Sequence, residues 1–268
     1  MAKWINWAAI VLSVIVMHPL HAGDQSEGPF GRVEYFNWEE YDESGARLLR
    51  ERGPRIGIGV EGNNFKRDLP GFVYRFSGMG YVGSVAYEGQ VIETKAPVNT
   101  STDYLGLSLD AMGGQRYGYI IEPHRLDVMF GGGVDLWLRN LRNSHDSNGN
   151  AAQGYRETYL AWTLKTAVGV SHKVGDGYGY ILGGVKLPIY VTEWPTLYNV
   201  ALNPQGRPSL FFKWTIANAL SYQKTGLAVS FFYDSWRFAQ SPRVSSGKVY
   251  VWQPKSKMDV VGVEIELQ

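Results

Sequence analysis

Residues 159–170 run Tyr-Leu-Ala-Trp-Thr-Leu-Lys-Thr-Ala-Val-Gly-Val, and the fold is legible in that alternation. Leu160, Trp162, Leu164, Val168 and Val170 fall on one side, with Ala161, Thr163, Lys165, Ala167 and Gly169 on the other. A period of two is the mark of a β-strand with unlike faces. In 126–138, Val128, Phe130, Val134, Leu136 and Leu138 oppose Asp127, Gly131, Gly133 and Asp135. In 210–222, Phe212, Trp214, Ile216 and Leu220 oppose Lys213, Thr215, Ala217, Ala219 and Ser221. In 181–191, Ile181, Val185, Leu187, Ile189 and Val191 oppose Gly184 and Lys186.

The composition of the less greasy face says where it points. A solvated strand face is rich in long polar side chains. Here small residues dominate, with isolated charges among them, as a narrow barrel interior requires. The apolar face then belongs in lipid.

Strands are predicted at 31–41, 55–65, 70–88, 104–121, 125–139, 155–171, 178–192, 208–222, 226–239 and 257–267. Long connections (42–54, 89–103, 140–154, 193–207, 240–256) alternate with short ones (66–69, 122–124, 172–177, 223–225). An even strand number with turns at one end and loops at the other is the pattern of bacterial outer-membrane barrels. The expected fold is all-β: a single antiparallel, transmembrane, up-and-down barrel of about ten strands, with eight or twelve open. The first and third strands break pattern. Phe36 and Trp38 lie on the opposite parity to Val33 and Tyr35, and 72–87 shifts phase in a way that a bulge near Gly78 and Gly80 would explain. Tyr104, Tyr155, Tyr159, Tyr178, Tyr180 and Tyr222 sit near strand ends, where interfacial girdles are expected.

The N-terminus carries Lys3, an apolar run from Trp4 to Met17, and His18-Pro19-Leu20-His21-Ala22 before a polar stretch. This is the anatomy of a cleavable signal peptide over 1–22, leaving 23–268 as the barrel domain. The run is too short for an ordinary spanning helix. With no cysteine there is no disulfide framework, lipoprotein anchor or cysteine nucleophile. A formal net charge of +1 argues against nucleic-acid binding.

The last strand, Asp259–Gln268, places Val261, Val263, Ile265 and Leu267 on one face around Gly262. It resembles the C-terminal signal of small Gram-negative outer-membrane β-barrel proteins, though without a final Phe. That resemblance covers nearly all of the chain after the signal. It implies residence in the outer membrane after export, with membrane lipid, lipopolysaccharide and the barrel-insertion machinery as partners.

Three places carry candidate chemistry. His145-Asp146-Ser147-Asn148 resembles the His-x-Ser-Asn motif of the lipid A 3-O-deacylases, which implies a base at His145, a nucleophile at Ser147 and an acidic partner at Glu157. The same run also reads as a plain polar loop. The strand count matches the omptin surface proteases, but no Asp-His pair and Asp-Asp pair can be placed at a common rim. His124 and His172 are expected at periplasmic turns, away from His145, so no histidine metal site forms. No cofactor is expected. The glycines at 57, 59, 62 and 131–133 lack a following helix and are read as lumen-facing or close-packing positions. The charged lumen set is Glu61, Arg75, Asp110, Asp127, Asp135, Lys165, Lys186, Lys213, Asp234, Glu264 and Glu266. Both signs occur together, which fits a salt-bridged plug better than a selectivity ring. A narrow path for small solutes is the alternative. The expected role is that of an envelope or surface-interaction barrel, with its long loops as the binding face.

Overall fold

The computed structural model describes residues 26–267, apart from 67, 68, 92, 93, 122, 123, 175, 176, 199, 223, 224 and 248. The proposed signal segment, 1–22, lies outside the described residues. Ten long strands form the wall: β1 (Ser26–Tyr41), β2 (Arg47–Asn63), β3 (Gly71–Gln90), β4 (Pro97–Ile121), β5 (His124–Leu141), β6 (Arg156–Val174), β7 (Gly177–Pro195), β8 (Ser209–Tyr222), β9 (Thr225–Phe238) and β10 (Lys255–Leu267). Each pairs antiparallel with its chain neighbours. Val263 of β10 stands opposite both Val33 of β1 and Phe231 of β9, which closes the ring. Closure removes the two free edges that an open sheet would expose. The short strand Gly206–Arg207 adds an eleventh member against the end of β9.

The apolar faces point outward. Ile58, Phe130, Leu164, Leu210 and Ile265 are all more than half exposed. They belong to a belt that circles the barrel and includes Val33, Ile56, Leu105, Trp162, Val168, Ile181, Phe212, Phe231 and Leu267. A surface of this composition is stable against hydrocarbon and costly against water. The strands run from 13 residues in β10 to 25 in β4, more than the roughly 9–11 needed to cross a bilayer.

Several expectations need correction. The connections over 42–46 and 91–96 are short, because β2 begins at Arg47 and β4 at Pro97, well before the predicted starts at 55 and 104. The genuinely long connections are 142–155, 196–208 and 239–254, all at the same end of the barrel. There is no bulge near Gly78 or Gly80: β3 keeps one register against β4 from Gly71 to Gln90. Its apparent phase shift arises because Tyr81, Val85 and Tyr87 point into the lumen while Phe72, Phe76 and Val82 point out. Phe36 and Trp38 are likewise fully buried inside, with Val33 and Tyr35 outside. A register shift opposite Trp162 and Thr163 leaves both Ile189 and Tyr190 exposed and turns Val191 inward, against its predicted outward face.

Tyr104, Tyr159 and Tyr180 are buried in the lumen and are not girdle residues. The side chain of Tyr222 lies outside the described residues.

The interior glycines act as seats for aromatic rings. Gly106 stands opposite Tyr81, whose ring lies where a Cβ on Gly106 would come within 2.2 Å of it. Gly262 serves Phe232 in the same way, with a closest ring approach of 2.7 Å. An aromatic laid over a cross-strand glycine fills the space the glycine leaves and pins the register.

Candidate functional site: the charged lumen

Strand parity sends a charge inward from nearly every strand, and cross-strand register decides its partner. At the turn end, Arg116 and Asp127 are both fully buried and form a bidentate pair, with two contacts of 2.7 Å. Arg116 Nη1 donates to the Phe65 carbonyl at 2.9 Å, and the Tyr180 hydroxyl donates to Asp127 at 3.1 Å. Phe65 belongs to the turn between β2 and β3. It folds under the barrel and stacks on Tyr180, with ring centroids 3.8 Å apart. Asn64 holds that turn in place by donating to the Phe72 carbonyl and accepting from the Tyr74 amide.

Above this floor is a chain of alternating charges. Glu61 receives Arg75 at 2.7 Å and Lys213 at 2.7 Å. Arg75 continues to Asp110 at 3.0 Å, and Asp110 accepts from Lys165. Lys213 continues to Glu264 at 2.5 Å, and Glu264 is held by Arg32 at 2.7 Å. Glu266 is buried beside it and accepts from Ser26. At mid-height Lys186 pairs with Asp234 at 2.6 Å and lies 3.6 Å from the Trp236 ring centre. Arg55 pairs with Glu34 at 2.6 Å and packs against Phe36 and Tyr81. Asp135 lines the cavity here with Asp234, Ser108 and Trp137. Desolvating so many ions is repaid only when each is paired and hydrogen-bonded, and in this region nearly all are.

The loop end differs. Glu51 gathers Arg139 at 2.6 Å, the Thr102 hydroxyl at 2.8 Å and the Tyr104 hydroxyl. Arg139 also pairs with Glu157, which accepts from Tyr159 at 3.2 Å. Glu40 accepts from Trp38 and Gln253, each at 3.0 Å. Glu193 is buried nearby, with Oε2 unpartnered, as is the Trp137 indole N–H. Four carboxylates therefore stand around one guanidinium, among Trp38, Trp137, Tyr159, Trp236 and Phe238.

Two small cavities lie among these groups. A cavity of about 50 Å³ lies at mid-height between Arg32, Asp135, Trp137 and Trp236, and one of about 10 Å³ lies by Glu61, Arg75 and Lys213. The first holds a few waters and the second at most one.

His145 and Ser147 do not meet Glu157. Both are exposed on the connection 142–155, in and beside the small hairpin of Ser144–His145 with Ala151–Ala152. Glu157 points into the lumen to Arg139. The parity of β6 separates them, and no hydrogen bond joins the three among the described residues. Asp146 organises the loop instead, accepting from the amides of Asn148 at 2.8 Å and Asn150 at 2.9 Å and from the Asn150 side chain at 3.1 Å. That side-chain bond first, then the backbone N–H groups, holds the Asp146 carboxyl below its ordinary value. Glu43, in the turn between β1 and β2, is likewise lowered by Arg243. His124 begins β5 at the turn end, far along the chain's meander from His145, and the side chain of His172 lies outside the described residues.

No protein-family model matches the sequence, and no curated protein does. Among solved structures, the outer membrane protease OmpT from Escherichia coli is similar with a TM-score of 0.53 at 10% identity, over 93% of this chain and 97% of OmpT. The chain has the fold of an outer-membrane β-barrel. The transport unit of the autotransporter AIDA-I from Escherichia coli also matches, with a TM-score of 0.43 at 9% identity, over 98% of this chain and 96% of that one. At such identity the likeness is one of fold alone.

All eleven predicted lumen charges of the barrel face inward. Sequence reasoning missed Arg32, Glu34, Glu40, Glu51, Arg55, Arg116, Arg139 and Glu193. The signal was present in β1: once Val33 and Tyr35 are taken as outward, Glu34, Phe36, Trp38 and Glu40 must all point in.

Proposed function

We propose that this chain is exported to the outer membrane of a Gram-negative cell and works there as a closed, non-conducting barrel that presents its long loops outward. The carrying observation is the filled lumen. Ion pairs run from Arg116–Asp127 at the floor, through Glu61, Arg75 and Lys213, to Arg139 at the loop end, and the two cavities described among them have room for a few waters at most. A ten-stranded wall lies near the size at which side chains fill a barrel. Connections 142–155, 196–208 and 239–254 gather at one end, and an even strand number returns both ends of the barrel domain to the other. That arrangement supports the loops as the outer, interacting face. The insertion machinery would read the apolar outward face of β10, where Val261, Ile265 and Leu267 are exposed.

Single-channel recording of the refolded protein in a planar bilayer tests the closed lumen. The expected result is no conductance steps from protein shown to be inserted. Reproducible steps, altered by Lys165→Gln or Lys213→Gln, would replace this reading with a narrow solute channel.

A further inference from the structure

The outer wall above the apolar belt carries an ordered excess of positive charge. Phe231, Val263, Val33, Ile56 and Val82 form one lipid-facing row across β9, β10, β1, β2 and β3. On the same five strands, two outward rows further towards the loops, the register aligns Ser235, Asp259, Asn37, Arg52 and Ala86. The next outward row is Arg237, Lys257, Glu39, Arg50 and Glu88, and above it Lys255 and Arg47 flank Tyr41. Six cations thus face three carboxylates. Glu39 alone is shared by Lys257 at 2.7 Å, Arg50 at 3.5 Å and Arg47 at 3.8 Å. Asp259 is taken by Arg237 at 2.6 Å and Glu88 by Arg52 at 2.9 Å. The side chains of Arg47, Arg52 and Lys257 are 46%, 42% and 39% exposed, so their remaining donors are free to bind from outside. On the adjoining strands β4 and β5, the charges at the same end are a matched pair, Asp103 with Arg142 at 2.7 Å.

We propose that this five-strand face binds the phosphorylated headgroup of an outer-leaflet glycolipid, whose acyl chains lie on the apolar row below. Like charges held side by side are unfavourable unless an anion joins them. Five strands at the usual spacing cover roughly 20 Å, the scale of a headgroup carrying more than one phosphate. A soluble anion would need the cations but not the apolar wall directly beneath them, so a lipid is the occupant that uses both. The inference rests on the orientation proposed above. It is read by lipid binding in detergent, so it stands or falls apart from the conductance result.

The test is titration of the folded protein, in uncharged detergent, with purified lipopolysaccharide, with the same material stripped of phosphate, with phosphatidylglycerol and with inorganic phosphate, with bound lipid counted by native mass spectrometry. Tight, salt-sensitive binding of the intact glycolipid alone is expected. The triple variant Arg50→Gln, Arg52→Gln, Lys257→Gln should weaken it about a hundredfold, at the usual strength of one surface cation near an anionic headgroup. Glu39→Gln frees three cations and should tighten binding, which guards against variants that merely misfold. Arg142→Gln should leave it unchanged. Equal binding by the triple variant or by the dephosphorylated glycolipid would overturn the proposal. So would inorganic phosphate or phosphatidylglycerol binding as well as the glycolipid.

Discussion

The two ends of the lumen solve the same problem differently. At the turn end, Arg116 and Asp127 form a bidentate pair, capped by Phe65 and Tyr180. At the loop end, Glu51, Glu157, Glu40 and Glu193 depend on Arg139 and on neutral donors such as Tyr104, Trp38 and Gln253. The first is a local lock, and the second is a shared one. A shared lock concentrates the cost of failure in a single residue, because several buried carboxylates lose compensation together.

The largest expected effect follows from that difference. Removing one partner of a buried ion pair costs about 3–5 kcal/mol. Arg139→Met should exceed Arg116→Met, because it strands Glu51 and Glu157 at once, whereas the ion pair of Arg116 among the described residues is with Asp127. Urea midpoints in detergent, or the temperature at which the folded band is lost on gels, would rank the two. The neutralising doubles sharpen the comparison. Asp127→Asn should recover much of the Arg116→Met loss, while Glu51→Gln should recover only part of the Arg139→Met loss, since Glu157 remains. Equal losses and equal rescue at both ends would break the contrast.

A smaller effect of opposite sign is expected at Glu193. Its Oε2 is buried without a partner in a region already rich in carboxylates. Glu193→Gln keeps the volume and offers an amide donor among neighbouring carboxylates, so the barrel should gain about 1 kcal/mol. The matching change at the turn end, Asp127→Asn alone, removes the carboxylate that Arg116 holds in two contacts and should destabilise. A Glu193→Gln barrel less stable than its parent would show that the excess acid is structurally required.

The strand count, the antiparallel meander and the lipid-out polarity were legible because period-two alternation survives in single strands such as 159–170. The lumen was legible only in part. Lys165 and Lys213 stand out against small neighbours, so parity exposes them. Arg139 and Glu51 do not, because they sit near strand ends where greasy residues occupy both faces, Leu138 outside and Trp137 within. Pairing is harder still, since Glu51 and Arg139 are separated by β3 and β4 and meet only across the closed barrel. Strand ends failed for a related reason. The rows 42–54 and 89–103 carry loop-like composition, yet closure of the sheet extends pairing through them, as Arg47↔Tyr41 and Pro97↔Gln90 show.

The weakest effect belongs to the outer connection and sets its hairpin apart from the ion-locked lumen. Asp146 accepts from the Asn150 side chain and from the amides of Asn148 and Asn150, and its carboxyl is held below the ordinary value. A folded-state value below the unfolded one contributes order that is full above about pH 4 and lost as pH falls through the folded value. Limited proteolysis of the folded barrel across that range should therefore show cleavage within 144–152 rising only at acid pH, while the wall stays intact. Asp146→Asn should raise the cleavage at neutral pH and flatten its pH dependence. Cleavage that rises on acidification to the same degree in the Asp146→Asn protein would assign the loop's order to other contacts, beginning with the Ser147 amide bond to the Pro97 carbonyl at 2.9 Å.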